Sequence, residues 1–192
     1  MVTADAIAMQ LNLPTCLTLL RIVLIPVFVV VFYLPGEWTN LICTALFGLV
    51  ALTDWLDGYL ARRWGQTSAF GAFLDPVADK LIVATVLVLL VQAIPSPAMA
   101  VATAIIIGRE IAISALREWM AQIGSRAAVA VSKIGKIKTT AQMIALLLLL
   151  YRDPILGFPT LDTGLVLLFV AALLTLWSMG HYLLAAWTAL RR

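Results

Sequence analysis

Long apolar runs fill most of this chain and restrict its possible folds more than any other feature. A helix needs about 20 mostly apolar residues to cross a bilayer. Six segments approach or exceed that length: Leu13–Leu34, Trp38–Ala61, Asp75–Gln92, Ala98–Met120, a fifth ending near Tyr151, and Thr163–Ala186. Turn-forming residues separate them at Pro35-Gly36, Pro95-Ser96-Pro97 and Asp153-Pro154. The fifth segment reaches full length only if it extends backwards through Lys138 and Lys136.

The composition leaves too few polar residues to cover a water-soluble fold. Hydrophobic residues make up 63% of the 192 residues and charged residues 12%, with a mean hydropathy of +1.05. Soluble domains are roughly half apolar and about a quarter charged. We therefore predict an all-α bundle of six membrane-spanning helices. Since no polar linker divides the chain, we expect it to form a single membrane domain over residues 1–192.

The basic residues predict the orientation of the bundle. Most lie at or after the ends of the second and fourth segments, or end the chain: Arg62, Arg63, Arg117, Arg126, Lys133, Lys136, Lys138, Arg191 and Arg192. Cytoplasmic loops are rich in such residues, so both termini are expected in the cytoplasm.

Residues Ala4–Leu13 are compatible with a short interfacial helix. We attribute the net charge of +3 to the basic residues that orient the protein in the membrane and to contacts with anionic lipid headgroups, rather than to binding of nucleic acid.

Four of the ten acidic residues lie close together, at the predicted cytoplasmic ends of the second and third segments. Asp54, Asp57, Gly58 and Ala61 have the spacing of one helical face, and so do Gly71, Asp75 and Asp79. Only Arg62–Phe70 separates the two faces, which predicts an antiparallel hairpin that directs both at one cavity. Carboxylates this close repel one another, and each costs roughly 2.5–3.5 kcal/mol or more at the centre of a bilayer.

Bound divalent cations would compensate for this repulsion. Oxygen ligands without Cys or His favour Mg²⁺, Mn²⁺ or Ca²⁺ over zinc. The small residues Gly58 and Ala61 leave room for a ligand, and Arg62 adds a cation, so the pattern suggests a substrate with a pyrophosphate. The alternative is a set of structural ion pairs between the aspartates and Arg62, Arg63 and Lys80.

These residues resemble the signature of a known family. The string Asp54-x2-Asp57-Gly58-x2-Ala61-Arg62-x8-Gly71-x3-Asp75-x3-Asp79 is similar to that of the CDP-alcohol phosphatidyltransferases at all eight defining positions. The resemblance extends along the chain and is greatest to the bacterial members that make phosphatidylglycerophosphate, in NLPTCLTLLR, TDWLDGYLARRWGQTSAFGAFLDPVADK, GREIAISALREWMA and SKIGKIKTTAQM. It implies a homodimeric inner-membrane enzyme whose active site faces the cytoplasm. Such an enzyme would use divalent metal to transfer the phosphatidyl group of CDP-diacylglycerol to an alcohol, releasing CMP.

The resemblance also implies a role for each signature residue. Mg²⁺ or Mn²⁺, with two ions per site, would be held by Asp54, Asp57, Asp75 and Asp79, and Asp79 would also act as general base. The pocket for CDP-diacylglycerol would be lined by Asp54, Asp57, Gly58, Ala61, Arg62 and Gly71. Asn12, Thr15 and Arg21 would border this pocket. A purely structural alternative fits these three residues equally well. It consists of a helix cap and an arginine whose side chain extends to the membrane interface.

Basic residues elsewhere suggest the second substrate. The fourth segment contains Arg109 and Arg117, and the fifth begins with Lys133 and Lys136. An excess of cations beside a metal site suits an acceptor with its own phosphate, so we predict that these four bind glycerol 3-phosphate. The alternative is that the lysines set topology and contact anionic lipid. We assign that role to Arg126 and Lys138, and both interpretations stay open for Lys133 and Lys136.

The predicted reaction is therefore phosphatidyl transfer to sn-glycerol 3-phosphate, which gives phosphatidylglycerophosphate and CMP in anionic phospholipid synthesis. Another phosphorylated polyol, such as inositol phosphate, is the nearest alternative acceptor. A cation-coupled transporter also contains carboxylates within the membrane, but its site is expected near the midplane at a repeat interface. A structural lipid-binding subunit would leave the spacing of the aspartates unexplained.

Overall fold

The computed structural model describes residues 13–64, 69–123 and 133–190, and six α-helices account for most of them. The helices are α1 (Leu13–Phe32), α2 (Thr39–Trp64), α3 (Ala69–Ala93), α4 (Pro97–Gln122), α5 (Lys133–Tyr151) and α6 (Thr160–Leu190). The prediction of an all-α fold is confirmed. The predicted interfacial helix at Ala4–Leu13 lies almost entirely outside the described residues.

Several of the described helices have the length and hydropathy of membrane spans. Three meet both criteria: Thr15–Phe32 in α1, Pro97–Gln122 in α4 and Thr160–Thr188 in α6. Shorter apolar stretches occur in α2 at Thr39–Asp54 and in α5 at Lys138–Tyr151. The chain is thus a membrane protein with multiple candidate spans. Six complete spans and the side of the termini stay predictions.

The turns predicted from proline and glycine are found at the ends of the helices. Ser96 caps α4, accepting a hydrogen bond from the Met99 N–H at 3.1 Å, and Pro97 occupies the first turn, where its missing N–H costs nothing. Between α5 and α6, Ile155 and Phe158 exchange backbone hydrogen bonds around a tight turn. Gly157 adopts a φ of 84° in that turn, a conformation that glycine accepts without strain.

The connection between α2 and α3 is shorter than the sequence suggested. The predicted separator was Arg62–Phe70, but α2 continues to Trp64 and α3 begins at Ala69. Pro76 therefore lies within α3, in its second turn. Because α3 begins at Ala69, Gly71, Asp75 and Asp79 lie on one continuous helix with the predicted spacing.

The helices gather in two compact units, Met1–Val86 and Leu87–Arg192. In the first unit α1 packs against α2, around a core that includes Phe28, Cys43, Phe47 and Val50. In the second unit α6 packs against both α4 and α5. Large apolar side chains remain exposed along most helices, as expected of surfaces that face lipid.

The α5–α6 contact depends on a close approach at Gly164. A Cβ atom at this position would lie 2.9 Å from Cγ of Leu149 and 3.2 Å from Cβ of Leu148. Leu149 is fully buried, so its side chain has little room to move. At Gly180, on the same helix, a Cβ atom would meet nothing within 4 Å.

We therefore expect Gly164→Ala to destabilise the protein by about 1–3 kcal/mol, because overpacking displaces buried side chains. Gly180→Ala is the matched control and should be neutral or stabilising, since alanine favours helix more than glycine does. Thermal unfolding in detergent micelles, followed by circular dichroism at 222 nm, measures both. Equal melting temperatures for the two variants would contradict this account of the packing.

Candidate active site

A buried arginine on α1 joins three of the predicted site aspartates. The Arg21 side chain is only 1% exposed. Its Nη1 donates to Oδ1 of Asp54 at 2.7 Å and to Oδ1 of Asp79 at 2.5 Å, while Nη2 lies 3.2 Å from Oδ1 of Asp75. The arginine thus connects α1 to α2 and α3. Its interpretation as a side chain extending to the membrane interface is wrong.

Thr18 supplies a second contact from α1. Its Oγ1 donates to Oδ1 of Asp75 at 2.5 Å, and Thr18 is 1% exposed. Thr15, which is also buried, precedes it by three residues, and Arg21 follows it by three. This spacing gives α1 a polar face in an otherwise apolar helix. Sequence reasoning included Thr15 and Arg21 but missed Thr18, although the three-residue spacing indicated it.

The three carboxylates remain accessible although the arginine beneath them is buried. The side chains of Asp54, Asp75 and Asp79 are 45%, 43% and 47% exposed. Three carboxylates and one guanidinium leave two negative charges among these four groups. Because Thr18 and Arg21 fix the Oδ1 atoms, the carboxylates are held close together despite their repulsion.

The chemistry of this cluster fits a divalent cation. Its carboxylate oxygens are the ligands that Mg²⁺ and Mn²⁺ prefer, and its excess negative charge attracts such an ion. Within the described residues, the carboxylates gather on Arg21 and form no group of three or more with metal-site spacing. The side chain of the fourth predicted ligand, Asp57, lies outside those described.

The structure describes only some of the other predicted site residues. Gly71 is buried in the first turn of α3, four residues before Asp75. Gly58 lies on α2, but its surroundings and the side chains of Ala61 and Arg62 on the same helix lie outside the description. The same holds for Asn12 and for the side chains of Lys133 and Lys136 on α5. Their roles stay predictions.

A second cluster of charged residues lies in the other unit. Oε1 of Glu110 accepts hydrogen bonds from Nη1 of Arg109 at 2.8 Å and from Nζ of Lys138 at 2.9 Å. Nη2 of Arg109 donates to Oγ of Ser178 at 3.2 Å. These contacts connect α4 to α5 and α6. Lys138 is 1% exposed, so its assignment to topology and anionic lipid is wrong.

The two predicted arginine ligands of glycerol 3-phosphate differ in environment. Arg109 is 8% exposed and shares its charge with Glu110. Arg117 is exposed, and its Nη2 lies 3.4 Å from the Tyr182 hydroxyl, a long hydrogen bond. Both arginines also lie over the ring of Tyr182 on α6.

Comparisons with known proteins agree with the signature. Residues 11–190 match the model of the CDP-alcohol phosphatidyltransferase family. The chain is 59% identical over 179 residues to a protein of Sodalis glossinidius, covering 93% of this chain and 96% of the relative. Relatives from Salmonella typhimurium and Escherichia coli K12 are 57% and 56% identical over 178 residues, with the same coverage. All three are named CDP-diacylglycerol–glycerol-3-phosphate 3-phosphatidyltransferase.

The pairing of Arg21 with three carboxylates predicts a strong stability effect. Arg21→Met keeps the bulk of the side chain but removes its charge, so the aspartates lose their shared partner. We expect a loss of about 2–3 kcal/mol, below the roughly 3–5 kcal/mol of fully buried pairs because water reaches the carboxylates. Thermal unfolding of the purified protein measures this loss.

A double-mutant cycle with Asp79→Asn separates pairing from packing. If Arg21 stabilises the protein through the carboxylates, Arg21→Met should cost less in the Asp79→Asn background than in the wild type. Strictly additive losses would show that Arg21 and Asp79 are not coupled, which would refute the ion pair between them.

Proposed function

The chain belongs to the CDP-alcohol phosphatidyltransferase family, and we propose that it transfers the phosphatidyl group of CDP-diacylglycerol to sn-glycerol 3-phosphate. The products are phosphatidylglycerophosphate and CMP, on the route to anionic phospholipids. Relatives named for this reaction share more than half of their residues with the chain over nearly their full length. The observation that most supports it in the structure is the convergence of Asp54, Asp75 and Asp79 on Arg21.

We assign the pocket for CDP-diacylglycerol to the α2–α3 signature. Asp54, Asp57, Gly58, Ala61, Arg62 and Gly71 would line it, with Asn12 and Thr15 at its border. Asp54, Asp57, Asp75 and Asp79 would hold Mg²⁺ or Mn²⁺, with two ions per site. The bound metal would neutralise charge on the pyrophosphate and on the departing CMP.

Asp79 is assigned as the general base. Its carboxylate would take the proton from the attacking hydroxyl of glycerol 3-phosphate. The hydroxyl oxygen then bonds to the phosphorus that bears the diacylglycerol, and the bond between this phosphorus and the oxygen of CMP breaks. The hydrogen bond from Arg21 holds Oδ1 of Asp79 in place, which restricts the rotation of the carboxylate.

Arg109, Arg117, Lys133 and Lys136 are assigned to the phosphate of the acceptor. The charges described in the second cluster support this assignment. Arg109, Lys138 and Arg117 bring three positive charges to the cluster, and Glu110 brings one negative charge. The remaining positive charge suits a phosphorylated acceptor better than zwitterionic serine.

We further propose that the protein spans the bacterial inner membrane six times. Both termini and the active site would face the cytoplasm, as the distribution of basic residues indicates. The family match covers residues 11–190, which supports treating the chain as one catalytic domain. A homodimer is proposed from the family resemblance.

The reaction is tested with the purified full-length protein, CDP-diacylglycerol and Mg²⁺ or Mn²⁺. CMP release should require glycerol 3-phosphate and should not occur with serine or inositol phosphate. Release with inositol phosphate alone would reassign the acceptor. No release with any alcohol, together with metal-dependent cation flux into liposomes, would contradict the enzyme function and favour a transporter.

The assignment of the base predicts a separation of binding from turnover. Asp79→Asn keeps an oxygen that can accept from Arg21 but cannot take a proton at neutral pH. We expect turnover to fall by at least about 100-fold while the affinity for CDP-diacylglycerol changes little. Asp162→Asn, in the first turn of α6, is the matched control and should retain full activity. Normal turnover of Asp79→Asn would refute the assignment.

A further inference from the structure

One aromatic ring lies close to both arginines that α4 contributes to the second cluster. Cζ of Arg109 is 5.6 Å from the centroid of the Tyr182 ring, and Cζ of Arg117 is 5.4 Å from the same centroid. Both distances are within the range of cation–π attraction. The ring is 7% exposed and belongs to a small apolar cluster with Ile113, Met120 and Ala186.

One ring therefore contacts two arginines that lie well apart along α4. Arg109 and Arg117 are eight residues apart on α4, which corresponds to about 12 Å along the helix axis. Without a shared contact, each of these long side chains would sample several rotamers independently. The electron-rich face of a tyrosine attracts cations, so Tyr182 on α6 restricts the positions of both guanidinium groups.

The charges around the ring are not balanced. Glu110 neutralises part of the charge of Arg109 and Lys138. Among the described side chains, no carboxylate forms an ion pair with Arg117. The two arginines therefore present a positive site with a rigid, uncharged support, and arginine binds phosphate oxygens through its planar set of donors.

We propose that Tyr182 is a positioning residue, which holds Arg109 and Arg117 in the geometry that binds the phosphate of the acceptor. The proposal rests on the assignment of these arginines to glycerol 3-phosphate under the proposed function. Tyr182 acts through the arginines, and its ring matters more than its hydroxyl because the contact of the hydroxyl with Arg117 is long, at 3.4 Å.

Kinetics of two substitutions test the role of the ring. Tyr182→Leu keeps apolar volume but removes the aromatic face, so the KM for glycerol 3-phosphate should rise by about tenfold, with the KM for CDP-diacylglycerol unchanged. Tyr182→Phe keeps the face and should stay within about twofold of the wild type. Trp177→Leu is the matched control, since Trp177 is an exposed aromatic residue on the same helix, and it should change neither KM.

Fluorination of the ring tests the electrostatic cause without altering the packing. Phenylalanine with increasing numbers of fluorine atoms, incorporated at position 182, becomes progressively less attractive to cations. The KM for glycerol 3-phosphate should rise at each step while the melting temperature stays constant. A KM that is independent of fluorination would overturn the proposal, even if Tyr182→Leu proves too unstable to assay.

Two further results separate this proposal from the proposed function. If Arg117→Leu raises the KM for glycerol 3-phosphate but Tyr182→Leu does not, the acceptor assignment stands and the role of Tyr182 is refuted. If the wild-type protein releases no CMP with glycerol 3-phosphate, the proposed function itself fails.

In the Arg117→Leu background, Tyr182→Leu should have a smaller effect on the KM for glycerol 3-phosphate than in the wild type. An equal effect would contradict action through Arg117.

Discussion

The buried guanidinium of Arg21 is the interaction on which the rest of the site depends. A charge enclosed in a membrane protein requires a partner, and Arg21 has three carboxylate partners, on α2 and α3. The aspartates in turn depend on Arg21, because they would repel one another without the cation between them. Arg21 thus joins three helices and orders the oxygens that the proposed chemistry requires. Thr18 strengthens the arrangement through Asp75.

The two charged clusters have opposite excess charges that match the two proposed substrates. The Arg21 cluster is negative overall, which suits a divalent cation and, through it, the pyrophosphate of CDP-diacylglycerol. The Glu110 cluster is positive overall, which suits the phosphate of the acceptor. In the Arg21 cluster one buried cation joins three carboxylates on two other helices, and in the Glu110 cluster one carboxylate joins two buried cations on α4 and α5. The residues that bind substrate in this account therefore also hold the helices together.

Much of the α2–α3 site could be predicted, because regular helical spacing determines which side chains share a face. That reasoning placed Asp54, Asp75 and Asp79 together before any contact was known, and the continuous α3 helix through Pro76 preserves the spacing. The role of Arg21 could not be derived, since the sequence alone does not show whether its long side chain extends along α1 to the membrane interface or pairs with carboxylates on other helices. Lys138 was misassigned for a similar reason, because its distant partner Glu110 depends on how α4 and α5 pack.

The proposed function requires that α2 and α3 present one carboxylate site for a divalent cation. Titration of the purified protein with Mn²⁺, followed by electron paramagnetic resonance, measures this binding directly and does not depend on activity. The account predicts saturable binding to the wild type and an affinity at least about tenfold lower for Asp75→Asn, which removes one carboxylate from the site. Equal affinity of the two proteins for Mn²⁺ would contradict it.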